Sequence, residues 1–165
     1  MTVVDTKKDL DALTLTIVTE LAAEPARVWQ VWSDPRQLER WWGPPTWPAT
    51  FEVHEVKPGG RSSYYMTGPE GQKSRGWWRF LALDEHTSLE FEDGFADESG
   101  TPNDALPTVH GRVDFEPIAS GTRMTVTSTF PTLEGMQKLV KMGVVEGMTS
   151  AMNQIDDLLA ESGQG

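Results

Sequence analysis

Three histidines, His54, His86 and His110, carry the side chains best suited to proton transfer or metal binding near neutral pH. Their separations along the chain do not match the ligand spacing of a metal site. The sequence has no cysteine, which excludes thiol nucleophiles, thiolate metal sites and disulfides. We therefore predict that the protein holds no metal and needs no cofactor.

Carboxylates occur in pairs on predicted strands, such as Glu52 with Glu55 and Glu90 with Glu92. The polar sides of alternating strands explain these pairs without a catalytic role. A polar group that points into an apolar pocket would instead have a shifted pKa and could act as an acid or a base. The segment KPGG at residues 57–60 is a turn between strands and does not open a helix, so it predicts no phosphate site. The sequence shows no complete catalytic constellation, and the polar residues to inspect first are His54, His110, Tyr64 and Arg79.

The stretch EPARVWQVWSDPRQLERWWGPPTW, residues 24–47, predicts two short helices. Pro25 and Pro35 suit first helical positions, because the fixed φ of proline fits a helix start and its missing N–H would be unpaired there. Asp34 can cap the second helix, and Gly43 with the two prolines after it ends that helix. The apolar faces of this pair are too rich in tryptophan to be buried by two short helices alone. A concave sheet must therefore receive them.

Alternation of apolar and polar residues predicts seven strands, at residues 13–21, 49–56, 61–67, 77–80, 88–93, 109–115 and 122–130. The residues before the first strand, 1–11, are expected to form a polar tail, and 12–161 a single domain. Residues 94–107 are rich in Gly, Pro and acids, which predicts one long loop at the rim of the fold. From residue 131 the period becomes helical, and one apolar stripe predicts a long helix to about Glu161, capped by Thr132.

Trp77 and Trp78 are adjacent in a predicted strand, so their side chains must point to opposite faces of the sheet. Only one of them can face the inside, and the sequence does not say which. The other tryptophan packs under another element or forms an exposed apolar patch.

The chain of 165 residues carries 14 basic and 25 acidic side chains, for a net charge of −11. This length fits one domain with an ordinary core. The acidic balance argues against nucleic acid as a partner, since binding a polyanion depends on basic groups. The start of the sequence lacks the apolar core of a signal peptide, and no later stretch is apolar enough to span a membrane. We expect a cytoplasmic protein whose oligomeric state, monomer or homodimer, is open.

Four stretches together resemble a known family: VWQVWSDPRQLERWWGP, VKPGGRSSYYMTGPEGQKSRGWW, LEFEDGFADESGTPNDALP and SGTRMTVTSTF. They are similar to the activator of Hsp90 ATPase homologue-like branch of the START/Bet v 1-like superfamily. This resemblance implies an α+β helix-grip fold, in which a curved seven-stranded antiparallel sheet wraps around the long C-terminal helix. It also implies a cavity between sheet and helix, which in relatives holds apolar small molecules. Relatives often carry tryptophan after a glycine in that helix, where this chain has Gly147 and Met148, and this implies a roomier cavity here.

The function that follows is the binding of an apolar or amphipathic small molecule. Glycines and methionines on the helix stripe favour a ligand wall, because interior helix glycines cost stability and methionine adapts its shape. A cyclase or dehydratase that uses the same cavity is one alternative, and a stress-response or chaperone-interaction module is the other. The residues predicted to line the cavity are Trp42, Tyr64, Met66, Trp78, Phe91, Val113, Met124, Val140, Gly143, Val144, Gly147 and Met148.

Overall fold

The computed structural model describes residues 3–103 and 105–162. This part of the chain forms eight strands and five helices, with two helices near the start and three at the end. Their bounds are β1 (Val3–Asp9), β2 (Thr14–Leu21), α1 (Pro25–Ser33), α2 (Pro35–Leu38), β3 (Ala49–His54), β4 (Arg61–Thr67), β5 (Lys73–Asp84), β6 (Ser88–Ala96), β7 (Val109–Ile118), β8 (Gly121–Thr129), α3 (Leu133–Lys141), α4 (Val144–Met152) and α5 (Ile155–Ser162).

All eight strands belong to one antiparallel sheet with the order β1-β2-β8-β7-β6-β5-β4-β3. Bulges at Phe51/Val53 in β3 and at Phe80/Ala82 in β5 bend their strands. Side chains from one face of the sheet and from the helices form a single apolar core. The predicted α+β helix-grip fold, with two short helices after the first core strand, is thus confirmed.

The central strands form because their residues alternate between core and surface. In β2 and β8 every second side chain is buried, and Ile17 lies opposite Val126 in the ladder. A shift by one residue would move both apolar sets into water, so this pattern specifies the register.

The predicted count of seven strands is wrong by one, because part of the expected polar tail forms β1. Only Val3 of this strand is buried, so no alternation marks β1 in the sequence. Its stability comes from backbone pairing with the edge of β2, and from a hydrogen bond that the Val3 N–H donates to Asn153 Oδ1 at 3.1 Å. Residues 1 and 2 of the expected tail lie outside the described residues.

The predicted long C-terminal helix is divided into the three segments α3, α4 and α5. Gly143 separates the first two with φ at +93°, a left-handed conformation that glycine adopts at little cost. Asn153 and Gln154 separate the last two, and the Gln154 amide donates to the Gly43 carbonyl at 2.7 Å. This second break therefore anchors the helical end of the chain to the segment after α2.

The predicted loop at residues 94–107 begins later than expected, because β6 continues to Ala96. Asp97 then organises a turn, since its Oδ1 accepts hydrogen bonds from the N–H groups of Ser99 and Thr101. Residue 104 lies outside the described part of the chain. Within residues 3–103 and 105–162, none of the helices combines the length and the apolar character that crossing a membrane requires.

Both helix starts in the N-terminal pair agree with the sequence, since Pro25 and Pro35 occupy first-turn positions. Asp34 caps α2 as predicted. Its Oδ1 accepts from the backbone N–H of Arg36 at 2.9 Å, and its Oδ2 accepts from the side-chain amide of Gln37 at 3.0 Å.

We predict that Asp34→Ala lowers the free energy of unfolding by about 0.5 to 2 kcal/mol, because these N–H groups lose their acceptor. Urea denaturation would measure this, and an unchanged midpoint would contradict the role of the cap.

Two glycines four residues apart provide a matched test of the helix break. We predict that Gly143→Ala destabilises the protein by about 1 to 2 kcal/mol, because alanine disfavours positive φ. Gly147 lies inside α4, and a Cβ placed there would meet no atom within 4 Å. Gly147→Ala should therefore stabilise the protein by up to about 1 kcal/mol through helix propensity. Thermal unfolding of both variants checks this, and shifts of the same sign would contradict it.

Candidate functional site

An aromatic cluster fills the space between the N-terminal helices and the sheet. Trp32 of α1 lies at its centre, with its ring centroid 4.7 Å from that of Trp41 and 6.0 Å from that of Phe91. Trp78 stacks on Phe91 at 4.4 Å and meets Trp42 edge to face at 4.7 Å. The sheet therefore receives the tryptophans, as the sequence predicted.

Beside this cluster lies a cavity of about 300 Å³ between the sheet and helices α3 and α4. It falls at the lower end of the volume range of small-molecule pockets, which is about 300 to 1,000 Å³. Its wall is mostly apolar and includes Trp41, Trp42, Pro44, Tyr64, Met66, Phe91, Asp93, Phe95, Val109, Val126, Ser128, Phe130, Leu139, Met142, Val144, Gly147, Met148, Ala151 and Met152.

Seven of the residues predicted to line a cavity lie on this wall, namely Trp42, Tyr64, Met66, Phe91, Val144, Gly147 and Met148. Trp78, Val113 and Met124 do not, because they are at most 1% exposed and belong to the filled core below it. Val140 packs on the edge of the core, and Gly143 forms the break between α3 and α4. The break between α3 and α4 explains why Val140 and Gly143 do not line the cavity, since it changes which apolar residues of the C-terminal helices face the sheet.

A polar pair, Tyr64 and Asp93, interrupts the apolar wall. The Tyr64 hydroxyl donates to Asp93 Oδ1 at 3.0 Å, although β4 and β6 are separated by β5. Gly76 of β5 is the ladder partner of Tyr64 and makes this reach possible. A Cβ at Gly76 would lie 2.4 Å from Cζ of the tyrosine ring, so the ring occupies the place of a side chain. Because Gly76 has no side chain, the Tyr64 ring can lie across β5 and its hydroxyl can reach Asp93.

Asp93 is the titratable group whose environment differs most from water. Burial raises its pKa to about 7, and the hydrogen bond from Tyr64 and the nearby N–H dipole of the Trp78 indole oppose the rise. The side chain keeps a partly accessible surface toward the cavity. Burial and the charge of Asp93 also raise the pKa of Tyr64 well above its ordinary value, so the phenol stays protonated. The carboxyl can thus gain or lose a proton near neutral pH, whereas its partner cannot.

Two indole N–H groups lie close to this pair and have no hydrogen-bond partner among the described residues, those of Trp42 and Trp78. The Trp42 indole lies near the Tyr64 hydroxyl and the Trp78 indole near Asp93, but neither reaches hydrogen-bond geometry. A buried donor without an acceptor costs about 1 to 3 kcal/mol. Neither nitrogen has a surface open to the cavity, so both N–H groups face the Tyr64 and Asp93 pair and not a bound molecule.

The other polar residues singled out in the sequence lie elsewhere. His54 joins α1 to the sheet, with Nε2 donating to the Trp32 carbonyl at 2.8 Å and Nδ1 accepting from the Ser62 hydroxyl at 2.7 Å. Burial lowers its pKa, which favours the neutral ring that this arrangement needs. His110 pairs with Glu90 on the outer surface, and Arg79 is exposed. None of the three reaches the cavity.

The sequence analysis did not single out Asp93, which is one of eight acidic residues between positions 84 and 104. Its alternation with Phe91 would have predicted the inward orientation, since residues two apart in a strand share a face.

The structure also shows which of the two adjacent tryptophans faces the inside of the fold. Trp78 points inward, whereas Trp77 lies half-buried on the outer face over Gly94 and donates to the Phe95 carbonyl at 3.2 Å.

A second depression, of about 610 Å³, lies where β5 begins and β6 ends, and it shares Phe95 with the cavity. It is larger, but it is more open and its wall is about half polar, with Lys73 and Arg75 opposite Asp97 and Glu98. A bound molecule would stay in contact with water there. The cavity beside the aromatic cluster is less open and more apolar, and it is therefore the better candidate for a binding site.

The sequence profile of the family described as activator of Hsp90 ATPase homolog 1-like protein matches residues 22–160. This chain belongs to that family. The match extends from the end of β2 into α5, so it includes both the aromatic cluster and the cavity.

Several solved structures are similar to this chain over nearly its whole length. A protein from Arthrobacter aurescens is 56% identical with a TM-score of 0.94, covering 97% of this chain and 93% of that one. Protein Ms6760 from Mycobacterium smegmatis is 51% identical with a TM-score of 0.88, covering 95% and 96%. A protein from Staphylococcus epidermidis is 27% identical with a TM-score of 0.80, covering 98% and 95%. No curated protein matches the chain.

In the part of the chain that the structure describes, no three His, Asp or Glu side chains are grouped so as to hold a metal ion. The residues on the cavity wall offer apolar contact, hydrogen bonding and, at Asp93, proton exchange.

The raised pKa of Asp93 predicts a pH-dependent effect of Asp93→Asn on stability. The folded state holds this proton more tightly than the unfolded state, so the contribution to stability is complete below about pH 4 and is lost as pH rises to about 7. Asparagine does not titrate, and its amide oxygen can still accept from Tyr64. We expect Asp93→Asn to be more stable than the native protein at pH 8, by about 1 to 3 kcal/mol, with a smaller difference at pH 4.5.

Urea denaturation at the two pH values measures this difference. Asp84→Asn removes the same charge from an exposed position at the end of β5 and serves as the control. A stability difference for Asp93→Asn that does not change with pH would contradict the assignment.

Proposed function

We propose that this protein binds an apolar or amphipathic small molecule in the cavity between the sheet and helices α3 and α4. The observation that carries the proposal is that a mostly apolar cavity of about 300 Å³ lies beside a fully packed aromatic core. Unfilled apolar space lowers stability in a protein interior, because the wall loses contacts that a filled core would have. A ligand of matching shape would restore those contacts.

Two features of the helical wall support this proposal. Gly147 faces open space and lacks any atom within 4 Å of a Cβ position, although alanine would favour the helix. Met142 and Met148 lie on the same wall, and methionine adapts its shape to different partners. Both features keep the space adjustable instead of filling it.

Met148→Trp tests whether the space is real. We expect this variant to change the free energy of unfolding by less than about 1 kcal/mol, because the larger side chain can enter the cavity. Met124→Trp is the matched control, because Met124 is fully buried and its sulfur lies 3.2 Å from Trp32 Nε1. Overpacking at that position should cost about 1 to 3 kcal/mol or more. Equal destabilisation by the two substitutions would show that the region near Met148 is already filled.

Binding is measured on the same proteins by native mass spectrometry as purified and by equilibrium dialysis against naphthalene. The native protein should bind naphthalene, and Met148→Trp should bind it at least about tenfold more weakly, because the indole takes its place. Binding that is unaffected by Met148→Trp would place the ligand elsewhere.

The recovered compound also separates binding from catalysis. A binding protein returns its ligand unchanged, whereas the cyclase or dehydratase alternative requires conversion by an acid and a base in the cavity. Asp93, with a pKa of about 7, is the one observation that supports this alternative. Chemical conversion of a bound compound that Asp93→Asn abolishes would favour the enzyme.

A further inference from the structure

Asp93 presents one carboxylate oxygen to the cavity without a partner. Its Oδ1 accepts from the Tyr64 hydroxyl at 3.0 Å, whereas Oδ2 accepts no hydrogen bond of good geometry from the described residues. Among those residues, the fully buried side-chain nitrogen and oxygen atoms that lack a partner are the indole nitrogens of Trp42 and Trp78, so Oδ2 keeps some open surface. The carboxyl lies on the inner face of the sheet, between its ladder partners Trp78 and Val109, and lines the cavity. A bound molecule can therefore reach Oδ2.

The cavity wall carries negative charge and no positive charge. Of the described residues that line it, Asp93 is the one that is ionised near neutral pH, and none is basic. A carboxylate without a counter-charge in apolar surroundings is costly, and this cost is the reason that burial raises the pKa of Asp93 to about 7. Folding has already removed this carboxyl from water, so a ligand cation that pairs with it loses only its own hydration.

Aromatic side chains surround the same space. Five of them line the cavity, namely Trp41, Trp42, Tyr64, Phe91 and Phe95. The faces of aromatic rings attract cations. The net charge of −11 on the whole chain attracts cations at longer range. The wall therefore suits a molecule that joins an apolar part to one positive group.

We infer that the cavity binds a cationic amphipathic amine, whose ammonium group donates to Asp93 Oδ2 and whose apolar part lies beside Phe91 and Met148. The inference rests on the proposed function, since it names the class of ligand for the same cavity.

Other polar groups pair less well with this oxygen. A ligand carboxylate would meet no cation on the described wall and would be repelled by the ionised Asp93. A ketone or an ether has no hydrogen to donate. A hydroxyl group can donate, but it leaves the negative charge unbalanced. An ammonium group both donates and neutralises the charge, and hydrogen bonds that join two ionised groups are among the strong ones in proteins.

Affinity for the amine should rise with pH, because the ammonium pairs with the ionised form of Asp93. The side chains that face this carboxyl from the sheet are those of Tyr64 in β4, Trp78 in β5 and Val109 in β7. The described parts of the wall that come from α3, α4 and the segment after α2 contribute no titratable side chain. Tyr64 keeps its proton, since its pKa lies well above the ordinary value. Asp93, with a pKa of about 7, therefore sets the pH dependence between pH 5.5 and pH 8.

The test compares four naphthalene compounds by equilibrium dialysis against the full chain. The probes are naphthalene, 2-(aminomethyl)naphthalene, 2-naphthalenemethanol as its uncharged counterpart, and 2-naphthoate. At pH 8 we expect the amine to bind at least about tenfold more tightly than the alcohol, and 2-naphthoate to bind more weakly than naphthalene. The amine stays protonated at both pH values, as lysine does. Its affinity should fall about tenfold at pH 5.5, whereas that of naphthalene should not change.

Proton release gives a second measurement on the native protein. Binding of the ammonium group favours the ionised carboxylate and so lowers the pKa of Asp93. At pH 7 the amine should displace about half a proton per molecule bound, since Asp93 is then about half protonated. Calorimetric titrations in phosphate and in Tris measure this release, because the two buffers take up the proton with different enthalpies. Naphthalene should displace none.

Two variants connect these effects to Asp93. Asp93→Asn should reduce the affinity for the amine to about that for the alcohol, and should remove both the pH dependence and the proton release. Tyr64→Phe removes a hydrogen bond that favours the ionised carboxylate, so the rise in amine affinity should move to higher pH. Asp84→Asn removes the same charge at the exposed end of β5 and should behave as the native protein does.

The outcomes distinguish this inference from the proposed function. Equal affinities for the amine and the alcohol, tightest binding of 2-naphthoate, or amine binding that Asp93→Asn does not weaken would overturn the ammonium site and leave the binding function standing. Failure of all four probes to bind the native protein would overturn the proposed function, and the ammonium site with it.

Discussion

Burial of the aromatic rings that α1 and the segment after α2 contribute is the constraint on which the rest of the structure depends. Trp32 contacts Trp41, Trp42, Trp78 and Phe91, and these rings come from both helical segments and from β5 and β6. Such large rings need a bent sheet to receive them, and they fix the position of the two short helices against it. The C-terminal helices then close the remaining space without filling it, which leaves the cavity beside Trp42.

Within that cavity, three residues on neighbouring strands depend on one another. Gly76 has no side chain, so the Tyr64 ring can cross β5, and the Tyr64 hydroxyl can then reach Asp93. Asp93 has its pKa raised to about 7 by burial, which lowers stability near neutral pH. A carboxyl group with a raised pKa that lies in a cavity is typical of a binding or catalytic site.

Much of the fold could be predicted because its signals are local. The proline positions and the Asp34 cap follow from backbone geometry, and alternation marks β2 and β8. The edge strand β1 could not be predicted, because only Val3 is buried and its other residues therefore show no alternation, although it pairs with the next strand, β2. The division of the predicted C-terminal helix into three segments could not be predicted for a similar reason. Helical periodicity continues across Gly143 and Asn153, whereas the break at Asn153 is stabilised by contacts with Val3 and with Gly43.

By itself, the sequence determined the α+β class and the apolar character of the space between sheet and helices, because these depend on residue types and on their periodicity. The family followed from the resemblance of four ordered stretches. Only the tertiary structure decided which tryptophan of the adjacent pair faces inward, and which residues border the space and which fill the core. It also decided that Asp93, Tyr64 and Trp42 meet at one end of the cavity. These three residues lie on β6, on β4 and after α2, and no local pattern encodes a distance between side chains that are brought together by strand order and by the absence of a side chain at Gly76.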